Sequence, residues 1–402
     1  MTTTPAPEPP AFPMTRRCPF DIPAEYRRLD DDGITRVRLP SGQLAWAVTS
    51  HAHARQLLAD PRLSSRRSRP GFPRLSALPP DQAGQFDPSL LGMDPPRHTE
   101  IRRPIITEFT VKKVQRMRPR IQSIVDDHIT AMLAGPKPAD LITDLALPVP
   151  SLVICELLGV PYADHGFFQD RSHAFLDTAL TAQEHLTALQ ELTDYLDKLV
   201  SRAEDNPGDD LLGRLIVKNR AADNYDHDDT VTLAWLLLLA GHETTANMIG
   251  LGTAAVLRDP DQLAELRADP SLWPGAIEEM LRYFTITDFV PSRLAVEDIE
   301  IGGLTIRAGE AVVLLTAAAD RDPAAFDDPD RLDIHRGSRH HLAFGYGVHQ
   351  CLGQNLARLE LEVVFTTLFD RIPGLRAAGD LDALPAKDKS VIYGLESLPV
   401  TW

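Results

Sequence analysis

The feature that most constrains this 402-residue chain is one short segment, residues 344–353, which reads FGYGVHQCLG. Its first two glycines, Gly345 and Gly347, can adopt positive φ angles and let the backbone approach a bulky group closely. Apolar residues recur at helical spacing beyond the segment, so we expect Cys351 to lie in the first turn of a helix. Free N–H groups and the helix dipole stabilise negative charge there, which predicts a thiolate. The alternative is an ordinary buried cysteine beside a turn.

The composition limits what such a chain can bind. A net charge of −16 argues against nucleic acid as a partner. The longest apolar run, Leu233 to Ala240, is far shorter than a bilayer-spanning helix of about 20 residues, and the N-terminus lacks the pattern of a signal peptide. Cys18, Cys155 and Cys351 are far apart in the sequence, which suits a reducing compartment. We therefore expect a cytoplasmic monomer that binds neither nucleic acid nor membrane.

Hydrophobic periodicity predicts a fold that is mainly α with small β-sheets. We expect one domain over residues 16–402 behind a flexible, proline-rich tail over residues 1–15. The segments 34–39 and 44–48 predict a hairpin, and short strands are predicted near 292–307 and 311–315. Helices are predicted at 95–109, 111–134, 148–158, 164–180, 182–205, 228–258, 271–284 and 351–370. The irregular segment 62–93 is too long for a simple connector, which indicates a functional loop.

A second motif, AGHETT over residues 240–245, lies inside the predicted helix 228–258. The N-terminal half of this helix is apolar enough to be buried, so Glu243 and Thr244 need polar partners. One interpretation has the Thr244 hydroxyl donate to the carbonyl of Ala240, four residues earlier. A helical pair of another kind, Glu279 and Arg282, follows one turn apart, and alone such a pair indicates little more than surface charge.

Positive charge is concentrated in one region, which we call the basic island. Its eight cationic residues are Arg97, Arg102, Arg103, Lys112, Lys113, Arg116, Arg118 and Arg120. Two acids, Glu100 and Glu108, lie among them. The island is either the solvated face of two helices or a docking surface for an acidic partner, and the charge pattern leaves both interpretations open.

The spacing Phe-Gly-x-Gly-x-His-x-Cys-x-Gly in residues 344–353 resembles the haem-binding loop of the cytochrome P450 family, in which the cysteine is the axial iron ligand. The AGHETT motif resembles the oxygen-activating motif of the same family. Glu279 and Arg282 resemble its Glu-x-x-Arg pair, which locks the core below the haem and has a structural role. The resemblance runs from the hairpin at Ile34 to the C-terminal strands and is closest to soluble bacterial, particularly actinobacterial, members. It implies the single-domain cytochrome P450 fold.

The resemblance also implies a set of site residues around haem b. Cys351 would ligate the iron, and Glu243 and Thr244 would manage protons for bound O2. The other residues implied to contact the haem or its propionates are His98, Arg102, Arg293, His349, Phe344, Gly345, Gly353 and Ala240. The residues implied for the substrate pocket are Leu91, Leu237, Ala240, Phe289, Val290 and Ile392.

The implied activity is that of a monooxygenase, which uses O2 to hydroxylate or epoxidise a hydrophobic small molecule. We expect a secondary metabolite of polyketide, macrolide, terpenoid or steroid-like type. The chain has no G-x-G-x-x-G nucleotide fingerprint, so NAD(P)H would act only indirectly, through a ferredoxin reductase and an iron–sulfur ferredoxin. Desaturation, oxidative coupling and a non-catalytic haem-binding module remain open. A haem-free enzyme with Cys351 as nucleophile is a further alternative, although His349 lies too close in sequence to secure the base geometry.

Overall fold

The computed structural model describes the chain apart from residues 1–7, 30–32, 75–88, 165, 169, 172–180, 288–289, 388–389 and 391. Helices dominate the described part. They are α1 (His51–Leu58), α2 (Arg97–Ile106), α3 (Val111–Gln115), α4 (Arg118–Ala134), α5 (Pro148–Leu158), α6 (Ala182–Asp205), α7 (Leu211–Ala221), α8 (His227–Arg258), α9 (Pro260–Ala268), α10 (Trp273–Phe284), α11 (Thr316–Ala319) and α12 (Gln354–Arg371). None of these helices combines the length and the apolar character needed to cross a membrane.

Ten short strands form three small sheets in the described part of the chain. The strands are β1 (Ile34–Arg38), β2 (Leu44–Val48), β3 (Leu63–Ser64), β4 (Ala139–Asp140), β5 (Ser292–Ala295), β6 (Ile299–Ile301), β7 (Leu304–Ile306), β8 (Ala311–Leu314), β9 (Arg376–Ala377) and β10 (Pro399–Thr401). The largest sheet has the order β1-β2-β8-β5-β3, with β2 and β8 parallel and the other neighbours antiparallel. The strands β4-β10-β9 and β6-β7 form the other two.

Helix α8 runs through the main hydrophobic core and contacts α5, α6 and α12. It begins where the Asp226 carboxylate accepts from the N–H of Asp229 at 2.8 Å, and two more acids in its first turn favour the positive end of the helix dipole. Gly252 lets it approach α12, since a Cβ there would lie 2.6 Å from Phe365 Cζ. Because α8 is buried on nearly every side, the elements packed around it determine the surroundings of each of its polar residues.

The predicted mainly α fold with small sheets is confirmed. Helices α5 and α6 and strand β2 have the predicted bounds, whereas the predicted helix 111–134 is two helices, α3 and α4. The prediction missed α1, α7 and α9. The predicted helix 164–180 lies largely outside the described residues.

Part of the segment predicted as a flexible tail, residues 1–15, packs against strand β1. Phe12 is 2% exposed and donates its N–H to Arg38 O at 2.9 Å, while Arg38 returns a bond to Pro10 O at 2.8 Å. This segment therefore extends the pairing of β1 and buries an aromatic side chain beneath the sheet.

Candidate active site

The segment 344–353 folds as a tight loop in front of α12. Gly345 and Gly347 both have positive φ, of 66° and 74°. The Cys351 N–H donates to Phe344 O at 2.8 Å, which closes the loop, and the Gly345 N–H donates to Leu342 O at the same distance. Gly347 also lies against α1, because a Cβ there would be 2.7 Å from Leu58 O. Two separate constraints therefore require glycine at position 347.

Cys351 lies outside the helix, and this corrects the prediction that it occupies the first helical turn. Helix α12 begins at Gln354, three residues later, although the N–H groups of Gly353 and Gln354 still donate to the sulfur. Burial raises the pKa of the Cys351 thiol despite these bonds and despite nearby Arg102. The loop by itself therefore does not make a thiolate. A metal ion on the sulfur would supply the missing positive charge, since a coordinated thiol is deprotonated.

The surroundings of Cys351 are crowded yet open on one side. The residue keeps an exposed surface while protein atoms surround the sulfur, as in the wall of a concave opening. No atom lies within 4 Å of the position that a Cβ of Gly353 would take. Cys351 and Gly353 therefore border an open space, and a large planar group could lie there.

A network of charged side chains from α10 and α12 packs against the loop. The sequence did not predict this network. The Arg358 guanidinium lies over the Phe344 ring, 4.5 Å from its centroid. It also binds both carboxylate oxygens of Glu278, at 2.5 and 3.0 Å. His341 Nε2 contacts the same carboxylate at 3.1 Å. Burial raises the pKa of Glu278, but the bonds from His341 and Arg358 outweigh it and lower the pKa to about 2.

The four predicted propionate anchors lie together beside the loop. The rings of His98 and His349 are 4.3 Å apart between centroids, and Arg102 and Arg293 both act on these rings electrostatically. Arg102 donates to Gln350 O. Burial lowers the pKa of His98 to about 4 and that of His349 to about 3, so both rings are neutral near pH 7.

Only part of this cluster is satisfied within the described residues, where Arg293 Nη1 donates to Ser292 O at 2.8 Å and His349 Nε2 contacts Ser65 Oγ at 3.0 Å. Both ring nitrogens of His98 are buried with no hydrogen-bond partner, and Arg293 forms no ion pair within the described residues. Burial lowers the pKa of Arg293 to about 10, which still leaves it a cation. The one nearby acid, Asp94, already accepts from Ser64 Oγ at 2.6 Å and Ser65 N at 2.8 Å. A buried group with two carboxylates, as haem b has, fits this donor set.

The AGHETT motif lies in the middle of α8, where its residues have different surroundings. Ala240 is exposed within an otherwise buried stretch, so it borders an opening. Gly241 instead meets α5, since a Cβ there would be 3.0 Å from Ile154 Cδ1. Thr244 is partly exposed, and its hydroxyl donates to Ala240 O at 2.7 Å. The back-bond considered from the sequence is thus present.

Glu243 and Thr244 do not bind each other in this structure. The Glu243 carboxylate forms an ion pair with Lys387 and accepts from Asn247 Nδ2 at 3.3 Å. Lys387 Nζ also donates to Asn247 Oδ1 at 3.1 Å. Adjacent residues on a helix point about 100° apart, which explains why the acid and the alcohol have separate partners. Lys387 lies 144 residues from Glu243, and no local pattern indicates the contact.

Glu279 and Arg282 form a fully buried ion pair at 2.7 and 2.8 Å. The guanidinium also donates to the carbonyls of Asp320, Pro329 and Arg331, and Glu279 accepts from Asp333 N at 3.0 Å. The pair therefore connects α10 to the long segment that precedes the cysteine loop.

The residues predicted for the substrate pocket lie in different surroundings. Leu237 is buried in the main core, and Ile392 packs against that core. Val290 is partly exposed, and Leu91 is 40% exposed in a short turn, Ser89–Gly92. Phe289 lies outside the described residues.

Four of the eight cations of the basic island form ion pairs with acids. Arg97, Lys113, Arg118 and Arg120 form ion pairs with Asp229, Glu108, Glu362 and Glu156, respectively. Arg103, Lys112 and Arg116 are exposed and form no ion pair within the described residues. Asn355 of α12 donates to Phe109 O at 2.9 Å, which places α3 beside the cysteine loop. We call these three unpaired cations the cationic patch. In the sequence they lie on both sides of Val111, whose side chain is exposed.

Comparison with known proteins gives consistent matches. The sequence profile described as cytochrome P450 matches residues 271–372. Cytochrome P450 105A3 of Streptomyces carbophilus is 52% identical over 98% of this chain and 96% of its own length. The vitamin D3 dihydroxylase of Streptomyces griseolus is 49% identical over 100% and 99%. The crystal structure of cytochrome P450 MoxA from Nonomuraea recticatena has a TM-score of 0.93 and 53% identity, with 98% of each chain covered.

Proposed function

The chain belongs to the cytochrome P450 family, and from this premise we propose that it is a haem-thiolate monooxygenase that hydroxylates a hydrophobic small molecule. The observation that carries the proposal is the position of Cys351. The residue keeps an exposed surface, its sulfur accepts the N–H groups of Gly353 and Gln354, and the loop before it is closed by backbone bonds. This arrangement presents one sulfur to a large ligand and holds it still.

We assign haem b to the space between this loop and the exposed part of α8. Cys351 would ligate the iron, and His98, Arg102, Arg293 and His349 would bind the two propionates. Phe344, Gly345, Gly353 and Ala240 would contact the macrocycle, where small or flat residues leave room. Bound haem supplies the binding and activation of O2, and a thiolate ligand favours cleavage of the O–O bond.

The residues of α8 would handle protons and water near the haem. Thr244 can hold a proton at its hydroxyl oxygen, because the bond to Ala240 O fixes that hydroxyl at a partly exposed position. Glu243 is the nearest acid in sequence, and its carboxylate is held by Lys387 and Asn247. We assign proton supply to these two residues acting through intervening solvent, since no direct bond joins them.

The substrate we propose is an apolar secondary metabolite or steroid-like compound. Leu237, Val290 and Ile392 supply apolar walls, and one close relative is named as a vitamin D3 dihydroxylase. An apolar wall holds such a molecule by excluding water and leaves its orientation to a few polar contacts. Spectral titration with a library of actinobacterial metabolites, with vitamin D3 included, would identify the compounds that displace water from the iron.

We further propose that electrons come from an acidic iron–sulfur ferredoxin and its NAD(P)H-dependent reductase. Arg103, Lys112 and Arg116, the cationic patch, form no ion pair within the described residues. Their charge is therefore available to attract an acidic protein. Its place beside the cysteine loop gives a short path to the haem. The three cysteines are free in the structure, consistent with work in the cytoplasm.

Carbon monoxide tests the cysteine assignment directly. The reduced protein with carbon monoxide should show the red-shifted Soret band of thiolate ligation, and Cys351→Ala should lose it. Cys18→Ala is the matched control and should keep the band, because Cys18 is a partly buried thiol in another region. A band that survives in Cys351→Ala would refute the assignment.

A further inference from the structure

A layer of charged side chains lies directly behind the cysteine loop, and the proposed chemistry does not use it. Arg358 projects from the second turn of α12 and Glu278 from α10. The carboxylate of Glu278 is 3% exposed and receives two bonds from Arg358 and one contact from His341. Desolvation of the Glu278 carboxylate offsets part of this attraction, so the gain in stability is smaller than the bond distances suggest. The position of this pair therefore needs another explanation.

The cation of this pair reaches the loop in two ways. The Arg358 guanidinium lies 4.5 Å above the Phe344 ring, and its field acts on the sulfur of Cys351. Phe344 in turn accepts the Cys351 N–H at its carbonyl, at 2.8 Å. The side chain of Arg358 is held by further bonds to Gln354 Oε1 at 3.0 Å, so it has little freedom to move. The Arg358 guanidinium thus contacts Phe344, which closes the loop, and places a positive charge near the Cys351 sulfur.

We infer that Arg358 and Glu278 are positioning residues that set the reduction potential of the iron bound to Cys351. The inference rests on the proposed function, since it takes Cys351 as the ligand. Arg358 holds Phe344 and favours electron density on the sulfur, and Glu278 offsets most of that positive charge from the far side. In a buried site with low dielectric response, an uncompensated charge of either sign acts strongly on a nearby redox centre.

The sign of the effect distinguishes this role from simple packing. Removing the cation in Arg358→Met leaves the Glu278 anion unbalanced, which disfavours the added electron and shifts the potential to more negative values. Glu278→Gln leaves Arg358 unbalanced and shifts the potential in the positive direction. The double variant removes both charges and should return close to the parent value. Arg358→Lys keeps the charge but loses the bidentate geometry, so it should lie between the parent and Arg358→Met.

The experiment is a dye-coupled reductive titration of the haem-loaded variants, with the carbon monoxide spectrum recorded for each. Glu362→Gln is the matched control, because Glu362 is also on α12 but its partner Arg118 makes a partly exposed pair. Its potential should stay at the parent value. Opposite shifts in the two single variants with recovery in the double support the inference.

Shifts of the same sign, or equal potentials in all variants with an intact thiolate band, would overturn it. Loss of the thiolate band in the parent protein would instead refute the proposed ligation, so the two failures are distinguishable. If Arg358→Met fails to retain haem, Glu278→Gln and Arg358→Lys still decide the matter, because each retains most of the local volume. A positive shift in Glu278→Gln is the required result.

Discussion

The cysteine loop and the middle of α8 lie on the two sides of the proposed haem site, and they are built in opposite ways. The loop is fixed locally, since its glycines, its turn and the bond from Cys351 N to Phe344 O all lie within ten residues. The buried acid of α8 depends instead on a partner 144 residues later in the chain, because Glu243 pairs with Lys387. The local motif thus determines its own backbone geometry. The helix determines only the direction of each side chain, and the partner that the side chain meets depends on the rest of the fold.

The largest effect that tests this contrast is expected at Gly347. In Gly347→Ala, the new Cβ would strain a residue with φ of 74° and would also lie 2.7 Å from Leu58 O. We expect a loss of about 3 kcal/mol of stability and poor haem retention, from left-handed strain plus overpacking. Gly303→Ala is the control, because its φ is also 74° and nothing lies within 4 Å. It should cost only about 1 kcal/mol. Equal losses in thermal unfolding would show that the loop does not depend on close contact with α1.

A similar effect is expected from pH at the support behind the loop. The folded pKa of Glu278 is about 2, below its ordinary value of 4.5, so the folded protein binds fewer protons than the unfolded chain in this window. The resulting stability, on the order of 3 kcal/mol, is fully present above pH 4.5 and is lost as the pH falls towards 2. Glu278→Gln should flatten this part of the pH dependence in urea unfolding. An unchanged slope in that variant would assign the acid sensitivity to other carboxylates.

At α8 we expect a smaller effect, which concerns coupling rather than stability. Thr244→Ala should keep haem and bind substrate, yet divert reducing equivalents to peroxide, so that less product forms per NAD(P)H, because the hydroxyl that would hold a proton near bound O2 is gone. Thr230→Ala is the matched control, because its hydroxyl makes the same kind of back-bond in α8, to Asp226 O at 2.7 Å. Peroxide, product and NAD(P)H are measured together in one assay. If both variants stay coupled, Thr244 only bonds its own helix.

The smallest effect is expected on the surface beside the loop. Reversing the charge of Lys112 or Arg116 should slow the first electron transfer from ferredoxin by several-fold and weaken its salt dependence, because exposed charges are screened over about 10 Å at 0.1 M salt. Lys113→Glu is less informative about steering, since Lys113 is already paired with Glu108 at 2.7 Å. Stopped-flow rates across ionic strengths, with substrate affinity as the control, test this. Identical rates in Lys112→Glu and the parent would show that the cationic patch is an ordinary solvated surface and does not steer ferredoxin.

The same contrast explains what the sequence could predict. The hairpin β1–β2 and helices α5 and α6 were predicted within a residue or two, because periodicity and turn residues are local signals. The start of α12 was placed too early, since the apolar spacing continues through a loop whose backbone bonds stop the helix. The basic island was placed correctly from the sequence, but four of its eight cations are paired. Three of the partners, Asp229, Glu156 and Glu362, come from other helices, so no local pattern indicates them.

Residues of the site follow the same rule. Cys351, His349 and the two glycines lie in one readable motif, and His98 and Arg102 share a helix face. Lys387 and the Arg358–Glu278 pair were not predicted, because each contact joins elements whose packing depends on the whole fold. Asn247 lies one turn after Glu243 on α8, so its contact is local and was missed although the spacing allows it. A buried acid such as Glu243 indicates that a partner exists, but the sequence does not say from which of 41 lysines and arginines it comes.

The ion pair of Glu243 has a consequence for how the protein is made. Lys387 follows Glu243 by 144 residues, and a ribosome adds roughly 5 to 20 residues each second. Roughly 7 to 30 seconds therefore pass between synthesis of the acid and synthesis of its partner. During that interval α8 cannot close over Glu243 without leaving a buried charge alone, which is strongly unfavourable. Cys351 is made 36 residues before Lys387 (387 − 351), roughly 2 to 7 seconds earlier at the same rate. The middle of α8 therefore stays in contact with water until after the cysteine loop has been made, which keeps the proposed haem site open when its iron ligand first becomes available.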